Sequence, residues 1–103
     1  FPVESENPMW GIYSAVTRQT HLQYPNGGWQ PQQRMTVNEA LQSFTTEASF
    51  ARFMESEKGM IKEGTLADMT VLDQDIRGIS PEEILSVEVL ATIVNGELVY
   101  KSF

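Results

Sequence analysis

The spacing of apolar residues changes from helical to alternating within residues 36–75, TVNEALQSFTTEASFARFMESEKGMIKEGTLADMTVLDQD. Thr36 and Glu39 have the spacing of a capping box, in which each side chain accepts a hydrogen bond from the other residue's amide. A helix is therefore predicted to begin at Val37. One face of that helix is apolar, as expected for packing against a core: Val37, Ala40, Leu41, Phe44 and Ala48.

The threonine pair Thr45–Thr46 interrupts this helical pattern, because a threonine side chain can bond to the backbone and cap a new turn. We expect either two helices or one kinked helix here, with the apolar surface continuing to Glu55. Gly59 is predicted to end the helical region in a left-handed conformation, after Lys58, whose charge suits a helix C-terminus.

Beyond the helical region the sequence favours strands. Lys62 to Thr65 is predicted to form a tight turn with positive φ at Gly64. Ala67 to Asp73 follows as a short strand, and its apolar side chains predict burial on both faces.

The C-terminal third contains two further local signals. Ser80-Pro81 is typical of a helix start, and predicts a single turn or a short helix. Asn95-Gly96 separates two β-branched runs, from Val87 to Val94 and from Glu97 to Tyr100. This pattern predicts a hairpin with a type I′ turn.

The N-terminal third combines a helix with a long polar loop. Asn7 is a favourable N-cap ahead of Pro8, and apolar residues at helical spacing extend the predicted helix to about Gln19. From Thr20 to Arg34 the chain is rich in Gln, Pro, Asn and Gly. A loop of this length in a small domain is usually functional or mobile.

Length and charge limit the classes of function. The 103 residues suit one small domain with a single core, and the net charge of -7 disfavours nucleic acid and anionic membrane surfaces as partners. No apolar run is long enough to span a bilayer, and no signal peptide is recognisable. The absence of cysteine favours a cytoplasmic location.

The residue types that carry chemistry are few. His21 is the single histidine, and we interpret it as an exposed loop residue because a zinc site usually takes three or four protein ligands. Asp68 and Asp73 could form a carboxylate pair, but capping of the two strand ends explains them more simply. Trp10 and Trp29 could line a pocket or pack as half-buried anchors, and the sequence leaves both alternatives open for Trp29.

The order of these features resembles the C-terminal end of a metal-dependent amidohydrolase. The likeness lies in residues 36–75 and in the closing segment 91–103, ATIVNGELVYKSF. The segments 1–18, FPVESENPMWGIYSAVTR, and 27–36, GGWQPQQRMT, narrow it to the amidohydrolase family 3 branch, which includes formamide-deformylase-like hydrolases. The positions that carry the resemblance are Gly59, Gly64, Ala67, Asp68, Asp73 and the Asn95-Gly96 turn.

The resemblance implies an α+β fold. Helices from the end of a TIM-type barrel, in residues 1–58, precede a small antiparallel β-sheet with a C-terminal hairpin, in residues 59–103. The second segment would be the C-terminal part of a composite β-domain. Because a full barrel takes about 250 residues, the chain is expected to be a C-terminal fragment of a longer enzyme.

The resemblance also implies where the catalytic residues lie. In this family a Ser-Asp pair at the end of the last barrel strand precedes a Phe-Pro or Trp-Pro pair, and the Asp handles the proton of the attacking water. Phe1-Pro2 matches that pair and reads as the exit from a strand that begins upstream. The chain itself is thus expected to hold no catalytic and no metal-binding residue. Val3, Glu4 and Asn7 would lie nearest the mouth of the substrate site.

Two classes of function follow. In the first, the parent protein is a hydrolase that uses a zinc-like divalent metal to cleave a carbon–nitrogen bond of an amide or formamide, and the isolated chain is inactive. In the second, the chain is an independent α+β module for interaction or self-association. The resemblance implies that strands around Met69 and Ile93 lack their usual partners. A homo-oligomer is expected, through the strand edges or the helix face of Leu41 and Phe44.

Overall fold

Three helices and a three-stranded antiparallel sheet form the chain, in a computed structural model that describes residues 3–103. The interpretation of Phe1-Pro2 lies outside the described residues. The elements confirm the α+β class. In chain order they are α1 Pro8–Thr17, a 3-10 helix Pro31–Gln33, α2 Val37–Phe44, α3 Thr46–Ala51, β1 Met69–Leu72, a second 3-10 helix Pro81–Ser86, β2 Val89–Val94 and β3 Glu97–Lys101.

The chain divides into two compact units, although its length predicts a single core. The first unit contains the residues up to Leu41 together with Ile76–Val87, and the second contains Gln42–Asp75 together with Glu88–Phe103. Each unit is therefore built from two separate stretches of sequence.

In the first unit, α1 begins and ends close to the predicted residues. The Asn7 side chain caps it by accepting a hydrogen bond from the amide of Met9 at 3.0 Å, and Pro8 occupies the first turn. The helix ends at Thr17 because Arg18 takes a left-handed conformation with φ of 58°. The amide of Arg18 still donates to the carbonyl of Ser14, which completes the cap.

The core of the first unit lies where α1 packs against the second 3-10 helix. Ile12 and Tyr13 of α1 and Ile84 of the 3-10 helix are the largest fully buried side chains of the described residues. The Tyr13 hydroxyl donates to the carbonyl of Thr20 at 2.9 Å, which satisfies its polar end.

The long loop is held against α1 by backbone hydrogen bonds. The amide of Trp29 donates to the carbonyl of Arg18, and the amide of Met35 donates to the carbonyl of Ala15, both at 2.9 Å. The short 3-10 helix Pro31–Gln33 lies within this loop. The loop therefore follows a defined path back along the helix.

The two other helix starts predicted from caps, at Thr36 and Ser80, are also present in the first unit. At α2, the amide of Thr36 donates to Oε2 of Glu39 at 2.8 Å, and the amide of Glu39 donates to the Thr36 hydroxyl at 3.2 Å. At the second 3-10 helix, Oε2 of Glu83 accepts from the amide and the hydroxyl of Ser80, at 2.8 and 2.7 Å. These hydrogen bonds lower the pKa of Glu39 and of Glu83 below the ordinary value of 4.5.

The helical region following α2 is shorter than predicted. The break at Thr45 gives two helices, which was one of the two predicted alternatives. However, α3 ends at Ala51 and does not continue to Gly59. Phe53 takes a left-handed conformation with φ of 58°, and the amide of Met54 turns back to the carbonyl of Ser49 at 2.9 Å. The chain thus leaves the helical path before reaching the glycine.

The sheet of the second unit has the strand order β1-β2-β3, with both pairs antiparallel. Met69 pairs with Ile93, and Ile93 pairs with Leu98. The hairpin between β2 and β3 has positive φ at both central residues, 50° at Asn95 and 80° at Gly96, which confirms the predicted turn. The turn at Gly64 is also confirmed, with φ of 90° and a hydrogen bond from the amide of Thr65 to the carbonyl of Lys62.

The prediction that β1 is buried on both faces is wrong. Val71 is 43% exposed, Thr70 is exposed, and Met69 and Leu72 are only partly buried. The reason is that β1 is an outer strand of a sheet with three strands, so an apolar run does not by itself imply cover on both sides.

Candidate functional site

The candidate site is a groove in the first unit, hereafter the N-terminal groove, with a volume of about 800 Å³. It combines carboxylate, hydroxyl and aromatic groups. Two of the three residues predicted to lie near a substrate, Val3 and Glu4, are part of its lining. The lining residues are Val3, Glu4, Ser5, Glu6, Trp10, Gly11, Ser14 and His21.

The third predicted residue, Asn7, has a positioning role. Its side chain caps α1, and its own amide donates to the Ser5 hydroxyl at 3.2 Å. Asn7 thereby fixes where residues 3–6 join the helix. Trp10 and Ser14 are four residues apart on α1, so they lie on the same face of the helix and both contribute to one wall of the groove.

His21 is exposed, as predicted, and it packs in an aromatic cluster. Its ring centroid lies 4.7 Å from that of Trp10 and 5.9 Å from that of Tyr13, with interplanar angles of 69° and 78°. Edge-to-face contacts of this kind are favourable for aromatic pairs. The contacts hold the imidazole at the wall of the groove, while the Trp10 side chain remains 40% exposed.

The charge of the groove comes from Glu4 and Glu6, since its described lining contains no lysine and no arginine. The amides at the start of α1 are occupied by the cap: those of Trp10 and Gly11 donate to the carbonyl of Asn7, at 3.2 and 3.4 Å. The groove thus offers carboxylates and aromatic rings to a ligand.

Asp68 and Asp73 act at the two ends of β1 and do not form a carboxylate pair. Oδ1 of Asp68 accepts from the amide of Asn95 at 2.8 Å, beside the hairpin turn. Oδ1 of Asp73 accepts from the amide of Glu88 at 3.0 Å, just ahead of β2. The interpretation of both residues as strand-end caps is confirmed.

Trp29 lines a second cavity of the first unit together with Tyr24 and Pro25, and this cavity shares Ser14 with the N-terminal groove. The Trp29 ring is 60% exposed, and the Arg18 guanidinium lies 4.8 Å from its centroid. Nε of Arg18 also donates to the carbonyl of Trp29 at 3.0 Å. Trp29 is therefore a surface residue held by a cation–π contact.

The second unit has a small cavity of about 290 Å³ beside α3, where Arg52 and Lys58 lie near Gly59 and Asp68. Charges of both signs line it, so it favours no single class of ligand.

Residues 3–103 form no cluster of metal-binding side chains. They contain no group of three or more histidine, cysteine or acidic side chains close enough together to hold a metal ion. Nor does any helix in this described part have the length and apolar character required to cross a membrane.

The sequence also shows which protein family this chain belongs to. Residues 1–100 match the model of the Amidohydrolase family, so the chain belongs to that family. This confirms the resemblance to the family 3 branch.

Individual relatives share about a third of the residues. The chain is 32% identical over 100 residues to the putative amidohydrolase YtcJ of Bacillus subtilis (strain 168) and to the N-substituted formamide deformylase of Arthrobacter pascens. It is 31% identical over 100 residues to the protein LONG AFTER FAR-RED 3 of Arabidopsis thaliana. Each match covers 97% of this chain but 19%, 18% and 17% of the respective relative, so the chain spans less than a fifth of their lengths. No solved structure matches the chain significantly.

Proposed function

We propose that the chain is the C-terminal part of a metal-dependent hydrolase that cleaves carbon–nitrogen bonds other than peptide bonds, in substrates of the amide or formamide type. The observation that carries this proposal is the family match over residues 1–100. The similarity to a protein named N-substituted formamide deformylase supports the amide or formamide substrate.

In this proposal, residues 1–58 correspond to the end of a TIM-type barrel and residues 59–103 to the C-terminal part of a small composite β-domain. The order of the elements, with α1 to α3 ahead of the sheet, supports that assignment. A zinc-like divalent metal, its ligands and the general base would be supplied by other parts of the parent enzyme. The contribution of this chain would be the N-terminal groove, with Val3 and Glu4 facing the substrate and Asn7 holding their segment in place.

The test compares the 103-residue chain with the complete polypeptide encoded by its gene. Both proteins are assayed against a panel of N-formyl and N-acyl amines, and the released amine is quantified. We expect metal-dependent turnover by the complete polypeptide, lost with a chelator and restored with zinc, and no turnover by the 103-residue chain. Hydrolysis by the 103-residue chain that His21→Ala abolishes would contradict the proposal, because it would place a catalytic site in the loop.

A second candidate function is an independent module for interaction or self-association. It is favoured by β3, whose residues are all exposed and include the apolar side chains of Leu98 and Val99. An outer strand with exposed backbone groups can pair with another chain. A homo-oligomer is proposed through the outer strands or through the face of α2 that carries Leu41 and Phe44.

Light scattering at high protein concentration tests the association. We expect a dimer or a larger assembly, and Leu98→Lys is expected to shift it toward monomer because a charge on an outer strand opposes pairing. A monomer at all concentrations would contradict self-association.

A cytoplasmic location is proposed for either function, because the chain contains no cysteine.

A further inference from the structure

We propose that the N-terminal groove binds an organic ammonium ion with an aromatic or alkyl body. The groove brings an indole, an imidazole and two carboxylates together in about 800 Å³. That volume is within the range of ligand pockets for small organic molecules.

The aromatic wall of the groove can contact both the charge and the apolar body of such a ligand. Trp10 is 40% exposed, and His21 packs against it with centroids 4.7 Å apart, so the indole is held in place while part of it remains open to a ligand. Tryptophan is the side chain that attracts a cation most strongly through its ring face. The same surface suits the apolar body of the ligand.

The carboxylates give the groove a negative charge. Glu4 and Glu6 line the groove, and its described lining has no lysine or arginine to neutralise them. The chain as a whole carries a net charge of -7, which adds a negative field at any concave site. A cation is therefore the charge that complements this groove.

The start of α1 does not reverse that preference. A helix N-terminus attracts anions through its free amides, but here the amide of Met9 donates to the Asn7 side chain and those of Trp10 and Gly11 donate to the Asn7 carbonyl. The donors that would bind an anion are engaged by the cap.

The biological meaning of this site rests on the proposed function, whereas the binding itself does not. Hydrolysis of an amide breaks the carbon–nitrogen bond and forms a carbon–oxygen bond with water; the nitrogen takes up a proton, and the products are a carboxylic acid and an amine. An alkylamine with a pKa near that of lysine, about 10.4, is an ammonium ion at neutral pH. The groove would then hold the amine half of the product.

The binding experiment uses the tryptophan of the groove as its probe. The chain contains two tryptophans, so Trp29→Phe leaves Trp10 as the only indole. Its fluorescence is followed while 2-phenylethylammonium, the neutral 2-phenylethanol or the anionic 3-phenylpropionate is added. We expect a saturable change with the ammonium ion, weaker binding of the alcohol and the weakest binding of the carboxylate.

A matched pair of charge variants tests the role of the carboxylates. Glu4→Gln/Glu6→Gln is expected to weaken ammonium binding about 2- to 30-fold, the combined range for two exposed ion pairs, and to reduce its dependence on salt. Glu55→Gln/Glu57→Gln removes the same charge at the same spacing outside the groove and is expected to leave binding nearly unchanged.

Two results would overturn the inference. One is equal binding of the ammonium ion and the alcohol, or no binding at all. The other is the same loss of affinity in both pairs of charge variants, since that would reflect net charge alone. Neither result bears on hydrolysis by the complete polypeptide, so this failure is distinguishable from failure of the proposed function.

Discussion

The two units of this chain differ in how they are held together. In the first unit, the buried apolar side chains form a core around α1: Met9, Ile12, Tyr13, Ala40, Ile76, Ile84 and Val87. In the described part of the second unit, the buried residues are Ala91 and Ser49. Packing stabilises the first unit, whereas the second depends on the hydrogen bonds of its sheet, turns and strand-end carboxylates.

The second unit also exposes much of its apolar surface. Burial of such surface contributes about 25 cal/mol per Å², so exposed side chains leave that contribution unused. Large exposed apolar surfaces usually mark contact regions. The side chains concerned include Phe50, Phe53, Ile61, Leu98, Val99 and Phe103, which are 55–89% exposed.

The comparison predicts its largest effect in the core of the first unit. Ile84 is fully buried, so Ile84→Ala removes buried methyl groups and leaves a cavity. We expect the free energy of unfolding to fall by about 2–5 kcal/mol. Leu98→Ala, at a side chain 55% exposed in the second unit, is expected to cost less than about 1 kcal/mol.

Urea denaturation followed by far-UV circular dichroism measures both variants. Ile84→Val serves as the control, with an expected loss of about 0.5–1.5 kcal/mol. Equal losses for Ile84→Ala and Leu98→Ala would mean that the second unit is as well packed as the first, and the comparison would fail.

The next largest effect is expected at a close approach inside the second unit. A Cβ atom added at Gly59 would lie 2.6 Å from the Ser49 hydroxyl oxygen and 3.1 Å from the carbonyl oxygen of Thr45, and Gly59 has φ of 104°. Gly59→Ala is expected to cost about 1–3 kcal/mol.

Gly64→Ala is the matched control for this contact. Gly64 also has positive φ, 90°, but no atom lies within 4 Å of an added Cβ. Its substitution carries the backbone strain alone, so thermal melts should show a smaller decrease in Tm than for Gly59→Ala. If the Gly59→Ala and Gly64→Ala proteins have the same melting temperature, α3 moves to accommodate the added methyl group.

A smaller effect is expected at the hairpin, which joins two strands with little burial. Gly96 has φ of 80°, and a β-branched residue is a strong outlier there. Gly96→Val is expected to destabilise the second unit by about 1 kcal/mol or more. The melting temperature measures it, and an unchanged melt would count against a type I′ turn.

The features that the sequence predicts correctly are those with local causes. The capping box at Thr36, the caps at Ser80 and Asn7 and the hairpin at Asn95 each depend on residues within a few positions of one another. The residues that form the sequence motif also make the interaction, so the helices and the hairpin turn begin where the motif predicts.

The features that it does not predict depend on distant contacts. The apolar run of β1 predicts burial, but cover depends on which elements pack over the strand, and Val71 is exposed. The early end of α3 depends on the conformation of Phe53, for which the sequence carries no glycine or proline signal. The N-terminal groove needs the loop to bring His21 back beside Trp10, and no local pattern encodes that return.

The smallest expected effect concerns the pH dependence of stability, which should differ between variants of the first unit and variants of the second. The pKa of Glu39 and that of Glu83 are lowered by hydrogen bonds from Thr36 and Ser80, and both capping boxes belong to the first unit. A carboxyl group whose pKa is lower in the folded state stabilises the protein above its unfolded pKa, and this contribution is lost as the pH falls through the folded value. The free energy of unfolding should therefore decrease as the pH falls below the ordinary glutamate pKa of 4.5, partly through these two groups. Urea titrations at several pH values should show that the free energy of unfolding decreases less steeply in Glu39→Gln/Glu83→Gln, because glutamine can still accept the capping hydrogen bonds without titrating.

Glu55→Gln/Glu57→Gln, which removes the same charge from the second unit, should follow the unmodified chain more closely. Identical slopes in the two double variants would show that general charge repulsion, and not the capping boxes, governs the acid response.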